Sequence, residues 1–597
     1  MKKFLLPALA MSAVLVACVM QHDKHHSSGE EIKKPNVLIV LTDDQGYGDL
    51  SVNGNPSLET PNLDKLHNES IRFTDYHVAP MCAPTRGQLM TGIDCLKNGC
   101  YCTSMGHSTV HDTIPFMSEI FSGSGYTTGL FGKWHMGYNY PHRPMDKGFD
   151  EVVYFNGYGL TGMGHYWNSD YFDPYYYHNG KLTQGEGYCN DIWFDKAMKW
   201  MKTKHEENTP FFCMIPTNLP HGPAWVDTVY SKQYNDSGAK DFYGMIANVD
   251  ENMGKLVKFL DKNGLRENTV LIFTTDNGTI RSKVYNAGMK GGKCSRFDGG
   301  HRVPCFVSWP GGGLIEPTDI STPTQVQDIL PTLIDICKLE KPGNSEFDGK
   351  SLLPLLKGRH FEDRMFVVQY QQNDLKKYDA AVVWKNWRLV LPWGDQLFDI
   401  CADPGQENII SDQHPEIVKK MKDFYEDWWA ETKPHLDKIV YNRIGTNHQQ
   451  EVILNSSDWF EVRADGNGSP RKASARPKTG TEFTGGIWYI DVEKTGKYEV
   501  ELRRYPREAD ATICGEIPPF TPRFGEPLPA GIPLNVTKAH LETSDGELTN
   551  EVTESDKSST FVVHFEKGKT KIRTWFSNEK NPLVSGAYYA YIKLKVE

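Results

Sequence analysis

The stretch Asn36-Val37-Leu38-Ile39-Val40-Leu41-Thr42-Asp43-Asp44 has an unbroken apolar run before two adjacent carboxylates. A run without polar alternation indicates a strand buried on both faces, as in a parallel sheet covered by helices. In open α/β sheets, ligands bind at the carboxyl ends of the strands. We therefore expect a largely parallel α/β domain, with Asp43 and Asp44 at the edge that carries its site.

The same design recurs in Val270-Leu271-Ile272-Phe273-Thr274-Thr275-Asp276-Asn277-Gly278, where an apolar run again ends in paired oxygen-bearing side chains. Adjacent carboxylates are costly to bury without a partner, and a divalent cation is the usual remedy. Taken alone, each pair is equally compatible with a solvated turn or a helix cap. Together, Asp43, Asp44, Asp276 and Asn277 offer only oxygen ligands, which selects calcium or magnesium over zinc.

A candidate nucleophile lies in Met81-Cys82-Ala83-Pro84-Thr85-Arg86-Gly87-Gln88-Leu89-Met90-Thr91-Gly92. The proline two residues after Cys82 restrains the backbone, and the residues that follow can start a helix. We expect Cys82 in the turn before a helix N-terminus, where backbone N–H groups favour an anion. Arg86 lies about one helical turn away and can face the same spot. The alternative is a buried structural cysteine, which is the commoner role of an arbitrary Cys.

Three further segments place basic side chains near expected strand ends or in glycine-rich loops. In Gly132-Lys133-Trp134-His135, Lys133 and His135 are two residues apart on an extended segment and share one face. His221 follows another apolar strand in the proline-rich stretch Asn218-Leu219-Pro220-His221-Gly222-Pro223. The third segment includes Gly291-Gly292-Lys293 and Asp298-Gly299-Gly300-His301-Arg302-Val303-Pro304. Each segment alone is weak, since an isolated His or Lys is more often structural.

In this order, the motifs resemble those of the type I, formylglycine-dependent sulfatase family of the alkaline phosphatase-like superfamily. The Cys-x-Pro-Thr-Arg and Leu-x-Thr-Gly signature has Thr85 where the commonest form has Ser. The Gly-Lys-x-His, Pro-His-x-Pro, Gly-x-Lys and Gly-Gly-x-Arg-x-Pro segments follow, with Asp298 in place of the commoner Glu. The resemblance extends from about Lys34 to Pro434 and implies a mixed, largely parallel sheet flanked by helices.

The resemblance also implies a mechanism for hydrolysing sulfate monoesters of sugars such as sulfated galactose or hexosamine. A maturation enzyme would convert Cys82 to formylglycine (3-oxoalanine), whose hydrate attacks sulfur and gives a covalent sulfo-enzyme intermediate. Calcium, rather than magnesium, is expected at Asp43, Asp44, Asp276 and Asn277, with the residue-82 oxygen completing its shell.

Further roles follow from the same resemblance. Arg86, Lys133 and Lys293 would neutralise the sulfuryl oxygens. His221 would protonate the departing alcohol, and His135 would take a proton from the second hydroxyl at residue 82. Arg302 is expected to be structural.

The N-terminus has the features of an export signal. Lys2 and Lys3 precede an apolar run, and small residues precede Cys18. This pattern predicts a signal peptide over residues 1–17, a bacterial lipobox with lipidated Cys18, and a polar tether over residues 18–34. The protein would then be anchored to a bacterial membrane, in the periplasm or at the cell surface. The alternative is an ordinary signal peptide with Cys18 incidental, which would give a secreted protein.

Patterning divides the remaining chain into three expected parts. The catalytic α/β domain is expected over residues 35–345, and a small α+β subdomain over residues 346–445. Alternating segments such as Ile487 to Val492 and Gly496 to Leu502, separated by Gly, Pro and Asp turns, indicate a β-sandwich over residues 446–597. That domain would either pack on the catalytic domain or bind glycan.

The stretch from Gly157 to Asp191 is rich in Tyr, Trp, Gly and His, and we expect it to be irregular. Long ordered loops on such scaffolds often shape binding pockets. Trp167, Tyr177 and His178 are therefore candidate sugar contacts, the alternative being a packing insertion.

A disulfide is expected within the cluster Cys95, Cys100 and Cys102 if the compartment is oxidising.

The composition of the chain argues against nucleic acid as a partner. The formal net charge of −11 opposes non-specific binding to nucleic acid.

A phosphonate or phosphate ester hydrolase on the same scaffold is the nearest rival, and a second metal would favour it. A non-catalytic glycan-binding lipoprotein is the other, but it would not need the five residues Cys82, Lys133, His135, His221 and Lys293 together.

Overall fold

The computed structural model describes residues 34–343, 346–372, 374–479 and 485–595. Its first part is built on a large mixed sheet. The strands of this part are β1 (Asn36–Thr42), β2 (Ile71–Phe73), β3 (Tyr76–His77), β4 (Thr127–Lys133), β5 (Glu151–Phe155), β6 (Tyr175–His178), β7 (Lys181–Gln184), β8 (Phe211–Pro216), β9 (Thr269–Thr275), β10 (Cys305–Ser308), β11 (Thr318–Ile320) and β12 (Thr324–Gln325). Among the described residues the sheet order is β11-β2-β10-β9-β1-β8-β4-β5-β6-β7, and β3 pairs separately with β12.

Strand β1 lies in the middle of the sheet and is buried along its whole length. It pairs in parallel with β8 on one side and with β9 on the other. Because successive side chains point to opposite faces, Val37, Ile39 and Leu41 enter one core while Leu38 and Val40 enter the other. The continuous apolar run therefore fills two cores at once, and the predicted α/β architecture is confirmed.

Helices cover both faces of the sheet. The helices of this part are α1 (Pro61–Asn68), α2 (Cys82–Thr91), α3 (Cys95–Asn98), α4 (Met117–Gly123), α5 (Cys189–Glu206), α6 (Thr228–Ser231), α7 (Lys240–Lys262), α8 (Asp298–His301), α9 (Ile329–Cys337) and α10 (Leu353–Leu356). Helix α9 contributes Leu330 and Leu333 to the core that holds Ile39. Helix α7 contributes Val249 and Met253 to the core that holds Leu38.

A small α+β unit follows the main sheet. Its antiparallel strands are β13 (Met365–Gln369), β14 (Ala380–Trp384), β15 (Trp387–Val390) and β16 (Gln396–Asp399), which pair in that order. Helix α11 (Pro415–Thr432) packs Met421 and Tyr425 against Val382 and Leu389 of this sheet. The expected α+β character of this part of the chain is confirmed.

Among the described residues, the C-terminal module contains two larger facing sheets, a separate pair of short strands (Val462–Arg463 with Arg476–Pro477) and a short helix, α12 (Gly468–Lys472). Its strands are β17 (Asn442–Ile444), β18 (Glu451–Asn455), β19 (Val462–Arg463), β20 (Arg476–Pro477), β21 (Ile487–Val492), β22 (Gly496–Arg503), β23 (Lys538–Thr543), β24 (Gly546–Glu551), β25 (Ser559–Phe565), β26 (Gly568–Ser577), β27 (Ser585–Gly586) and β28 (Tyr589–Leu594). One sheet has the order β17-β21-β26-β23-β24, with β27 also on β26, and the other β18-β28-β22-β25. Both contribute to a common core, as a sandwich requires.

Strand β17 precedes the predicted start of this module at residue 446, yet it pairs with β21 inside the module. The module is mostly antiparallel, but the β17–β21 pair is parallel. The hydrogen bonds therefore join residues 442–444 to the C-terminal sheet, whereas the sequence pattern alone assigned them to the small subdomain.

Two expectations about the first part were wrong. The stretch from Gly157 to Asp191 is not irregular throughout, because β6 and β7 form a hairpin across Asn179-Gly180. Both turn residues have positive φ, 48° and 81°, which is the requirement of the hairpin turn that Asn-Gly favours. Cys95, Cys100 and Cys102 are buried free thiols, and no described cysteine forms a disulfide.

The predicted signal peptide, the predicted lipidation of Cys18 and the predicted tether up to residue 33 lie outside the described residues. Within the described part of the chain, no helix has the length and apolar character needed to cross a membrane.

Candidate active site

The predicted acidic residues meet at the carboxyl ends of β1 and β9. Thr42 is in register with Thr275, so the two strands end side by side. The Asp276 N–H donates to the Thr42 carbonyl at 3.1 Å, and the Asp44 N–H donates to Asp276 Oδ1 at 3.2 Å. Asp44 adopts a left-handed φ of 69°, which turns the chain away from the strand. The site thus arises where two neighbouring apolar strands end in oxygen-bearing side chains.

These residues fit a hard cation. Asp43 Oδ1 and Asn277 Oδ1 are buried oxygens without a hydrogen-bond partner. One ligand atom each from Asp43, Cys82 and Asp276 lies within 4.8 Å of the others, and so does one each from Asp43, Asp44 and His221. Burial and the nearby charge of Asp276 raise the pKa of Asp43 to about 8. A bound divalent cation would partner the orphaned oxygens and favour the ionised carboxyl.

Cys82 is the first residue of α2, one position further into the helix than expected. Helix α2 is buried along its whole length. Arg86, one turn later, donates from Nε and Nη2 to Asp276 Oδ2 at 3.1 and 2.7 Å, and from Nη1 to the Lys133 carbonyl at 3.2 Å. Burial raises the pKa of the Cys82 thiol, so the unmodified cysteine is protonated at neutral pH. An unmodified Cys82 is therefore poorly suited to act as a thiolate nucleophile.

His135 faces Cys82 directly. Its Nδ1 lies 3.4 Å from Cys82 Sγ, and its Nε2 lies 3.1 Å from the Thr103 carbonyl oxygen. Because a carbonyl only accepts, Nε2 carries the proton and the Nδ1 lone pair points at residue 82. Burial, with the positive charges of Lys133 and Arg86, holds the pKa of His135 well below its usual range. The imidazole is thus neutral and oriented to accept a proton from residue 82.

The two predicted lysines pair with the acidic residues of the cation site. Lys133 Nζ lies 2.5 Å from Asp43 Oδ2, and Lys293 bonds to Asp44. Arg86 pairs with Asp276 in the same way, so three positively charged side chains balance three carboxylates. A divalent ion would give these groups a net charge of +2. The filled site would therefore attract a negatively charged ester, although the protein as a whole is acidic.

His221 lies on the other side of Asp44. Its Nε2 is 3.8 Å from Asp44 Oδ2, and its Nδ1 donates to the Gly222 carbonyl at 2.7 Å. Burial lowers the pKa of His221 to about 4, and the lysines add to the effect while Asp44 opposes it. The ring is therefore neutral in the substrate-free protein. A negatively charged ester bound beside it would raise this pKa and favour the protonated ring.

The structure does not bring every predicted site residue into this cluster. Trp167 is buried against Tyr505, with the Arg471 guanidinium 4.9 Å from its ring centroid. Tyr177 and His178 lie on β6, where His178 bonds to Glu151 at the amino end of β5, the opposite edge of the sheet. A role for these three as sugar contacts stays a prediction.

A second buried cluster was not expected from the sequence. Arg388 Nη2 lies 2.5 Å from Asp75 Oδ1, and Arg388 Nε lies 3.0 Å from Asp298 Oδ1. His77 lies 2.9 Å from Asp75 and 2.8 Å from His301. Asp298 belongs to the glycine-rich motif, so this network fixes that motif to the small subdomain through Arg388.

Arg302 donates to the Thr74 carbonyl at 2.8 Å and contacts Asp75, in line with its expected structural role. Thr103 and Tyr158 are also site neighbours that sequence reasoning missed. Thr103 acts through its backbone, so its side chain gave no signal. Tyr158 lies in the aromatic stretch that was noted, but its spacing did not distinguish it from Trp167.

Together, the helix N-terminus, the paired cations, the oxygen-lined cation site and the two histidines define a hydrolase of tetrahedral oxyanion esters on an alkaline phosphatase-like fold. The chain belongs to the sulfatase family, whose model matches residues 35–339. The protein is accordingly a sulfuric ester hydrolase, and the suspected family is confirmed.

Several characterised proteins are similar to this chain. N-acetylgalactosamine-6-sulfatase of Rattus norvegicus is 29% identical over 442 residues, which cover 68% of this chain and 79% of that protein. The enzyme of the same name from Sus scrofa is 31% identical over 57% of this chain and 69% of its own length. Among solved structures, Ps i-CgsB in complex with k-i-k-neocarrahexaose superposes with a TM-score of 0.62 and 27% identity, covering 68% of this chain and 95% of that one.

Proposed function

We propose that this protein removes sulfate from sulfated saccharides, using a formylglycine derived from Cys82 and a calcium ion held by Asp43, Asp44, Asp276 and Asn277. The observation that carries the proposal is the position of Cys82. It opens a buried helix, faces a proton-accepting nitrogen of His135 at 3.4 Å, and shares a possible ligand cluster with Asp43 and Asp276. No other arrangement among the described residues combines these features.

The donor set supports the modification of Cys82 and the choice of cation. Within the expected ligand set, Asp43, Asp44, Asp276 and Asn277 offer oxygen, whereas Cys82 offers sulfur, which suits softer metals. An oxygen at residue 82 would make the set uniformly hard, as calcium prefers. When present, the hydrated formylglycine supplies a hydroxyl nucleophile, and the cation supplies charge stabilisation and lowers the pKa of bound hydroxyls. His135 Nδ1 is placed to accept a proton from residue 82.

The basic residues would bind the sulfuryl group. Lys133, Lys293 and Arg86 surround the carboxylates beside Cys82, and the first N–H groups of α2 lie at the same place. Fixed donors and charges of this kind stabilise the charge that develops on equatorial oxygens in the transition state. They also hold the ester in line for displacement.

His221 would protonate the departing sugar oxygen. It lies beside Asp43 and Asp44, with its Nε2 3.8 Å from Asp44 Oδ2 and its Nδ1 bonded to the Gly222 carbonyl. Sugar alcohols are poor leaving groups, so a positioned acid contributes about 100-fold to 10,000-fold to their departure. Two similar proteins support a saccharide substrate, because one is named for its action on N-acetylgalactosamine 6-sulfate and the other was solved with a bound neocarrahexaose. We therefore propose a sulfated hexosamine or galactose.

We also propose export and lipid anchoring. The basic, apolar and small residues before Cys18 support cleavage at that position and attachment to a bacterial membrane. A formylglycine-generating enzyme would be the maturation partner.

The test is sulfate release from a panel of galactose and N-acetylgalactosamine sulfates, with p-nitrophenyl sulfate, p-nitrophenyl phosphate and a phenylphosphonate monoester alongside. Protein made with a maturation system should release sulfate from at least one sugar, and Cys82→Ala should release none. Faster cleavage of the phosphate or phosphonate esters would favour the rival hydrolase instead. Binding of sulfated sugars without release of sulfate would favour a glycan-binding protein.

A further inference from the structure

The position of His221 indicates the side of the site on which the sugar lies. If His221 protonates the leaving oxygen, then the saccharide that carries this oxygen must lie next to the His221 ring. The nearest described aromatic neighbour of that ring is Tyr158, with ring centroids 5.3 Å apart. Tyr158 is half-buried rather than enclosed, so part of it is open to a ligand. The residues around Tyr158 are therefore the ones expected to contact the sugar.

Tyr158 contacts the C-terminal module. Gly162 forms a β-bridge with Gly466, the Met163 N–H donates to the Asp465 carbonyl at 2.9 Å, and the Asn467 N–H donates to the Thr161 carbonyl at 3.2 Å. A Cβ atom at residue 466 would lie 3.0 Å from the Tyr158 hydroxyl oxygen. Gly466 thus allows the backbone of the module to pass directly beside this hydroxyl.

Two charged side chains of the module, Arg463 and Asp465, belong to the segment that immediately precedes Gly466. Arg463 binds Asp465 Oδ2 through Nε and Nη2, both at 3.0 Å, and the side chains are 14% and 21% exposed. The Gln372 amide, with its oxygen turned toward Arg463, accepts from Arg463 Nη2 at 3.0 Å. Burial and the charge of Asp465 raise the pKa of Tyr158 to about 12, while a hydrogen bond with Thr161 and the charges of Arg463 and Lys293 oppose the rise. The pair therefore lies close enough to Tyr158 to affect its ionisation.

We propose that Arg463 and Asp465, with Tyr158, form the subsite that binds the saccharide part of the ester, so that the C-terminal module completes the active site. This inference rests on the proposed saccharide sulfatase function. It assigns the module a role distinct from both remote glycan binding and simple packing.

The chemistry of the pair suits a sugar. An Arg–Asp ion pair presents N–H donors and carboxylate acceptors in fixed positions, which matches the vicinal hydroxyls of a saccharide. Gln372 and Asp465 hold the guanidinium, so little side-chain entropy is lost on binding. The Tyr158 ring offers an apolar face to the C–H groups of the sugar ring. A substrate without a sugar would use none of these contacts.

The test compares a sulfated sugar with a small aryl ester. The sugar substrate is N-acetylgalactosamine 6-sulfate, or the best sugar of the panel. We expect Arg463→Ala and Asp465→Asn to lower kcat/KM for this sugar about tenfold more than for p-nitrophenyl sulfate. The loss should come mainly from a higher KM. Arg463→Lys keeps the positive charge but loses the planar guanidinium with its paired N–H donors. Its loss of kcat/KM for the sugar should therefore be smaller than that of Arg463→Ala but larger than zero. Arg507→Ala is the matched control, because the ion-pair partners of Arg507 in the structure, Glu451 and Glu501, lie within the module.

The outcomes separate this inference from the proposed function. Equal losses on both esters, or wild-type rates on both, in variants whose thermal unfolding matches that of Arg507→Ala would overturn the subsite while leaving the saccharide sulfatase intact. A wild-type enzyme that cleaves p-nitrophenyl sulfate but no sulfated sugar would refute the sugar substrate, and the subsite with it. A loss confined to the sugar, restored in part by Arg463→Lys, supports the assignment.

Discussion

His135 and Cys82 form a directed pair: His135 Nε2–H donates to the Thr103 carbonyl, which leaves the unprotonated Nδ1 facing Cys82 Sγ at 3.4 Å. This arrangement sets the direction of proton transfer before any substrate binds. His135 has a φ of 60°, a left-handed conformation that Asn tolerates better than most residues. His135→Asn is therefore the variant that removes the base with the least backbone strain.

We expect His135→Asn to lower kcat about 100-fold to 10,000-fold while the folded state is retained, because a positioned base is lost. Steady-state kinetics on the best sulfated sugar and thermal unfolding would measure both quantities. If the variant kept wild-type kcat, the assignment of His135 as the base would be incorrect.

His221 should matter more for sugar esters than for aryl esters, because nitrophenol departs without protonation. We expect His221→Ala to reduce kcat/KM for the sugar at least about 100-fold more than for p-nitrophenyl sulfate. The substrate-free pKa of His221 is lowered to about 4, so the protonated form grows as pH falls. The wild-type ratio of sugar to aryl kcat/KM should therefore rise from pH 7 to pH 5. A ratio that is flat with pH, and unchanged in His221→Ala, would refute the role.

Calcium should stabilise the folded protein through the orphaned oxygens of Asp43 and Asn277. At a free concentration about 100 times Kd, the expected gain is about 2.7 kcal/mol. We expect Asn277→Ala to need about tenfold more calcium for the same rise in Tm. Calorimetry of chelator-treated protein with added calcium, or with magnesium for comparison, measures this. A Tm that does not respond to either ion would exclude a cation site here.

Arg388 should be essential for stability rather than for chemistry. It is fully buried between Asp75 and Asp298, and its charge holds the pKa values of both carboxyls below their usual range despite burial. Arg388→Ala would leave two buried carboxylates without their cation, at a cost of about 3–5 kcal/mol. Lys419→Ala, which breaks the exposed Lys419–Asp423 pair, should leave denaturant unfolding unchanged. Equal midpoints for the two variants would contradict this account.

The Cys18→Ala variant tests the lipid anchor. If Cys18 is lipidated, the wild-type protein should partition with the membrane fraction and enter the detergent phase, whereas Cys18→Ala should appear in the aqueous fraction. Fractionation of a bacterial host followed by immunoblotting makes the comparison. Identical partitioning of the two proteins would favour an ordinary signal peptide with Cys18 incidental.

Local patterning predicted much of the fold and the centre of the site. The apolar runs at Val37 and Val270 place β1 and β9, and their trailing carboxylates meet because parallel neighbours end at the same edge. The alternating segments Ile487 to Val492 and Gly496 to Leu502 match strands β21 and β22 to within one residue, since alternation and flanking turns are local properties. The Asn179-Gly180 turn carried a hairpin signal that was overlooked.

The remainder depends on contacts between residues that are distant in sequence. Arg388 meets Asp75 across 313 residues, and nothing in its own neighbourhood indicates this partner. The bridge between Gly162 and Gly466 is equally remote and depends on how the C-terminal module docks. Spacing and periodicity report on one element at a time, so they could not show that Gly466 lies beside Tyr158.

If Cys82 is the precursor of the nucleophile, the modification will be visible in the mass of the peptide that spans Cys82. The protein should be made in a bacterial host whose maturation system is shown to modify a control sulfatase. The account predicts a peptide carrying the aldehyde or its hydrate at residue 82, together with sulfate release by the same preparation. An unmodified thiol at Cys82 in a preparation that still releases sulfate would contradict it.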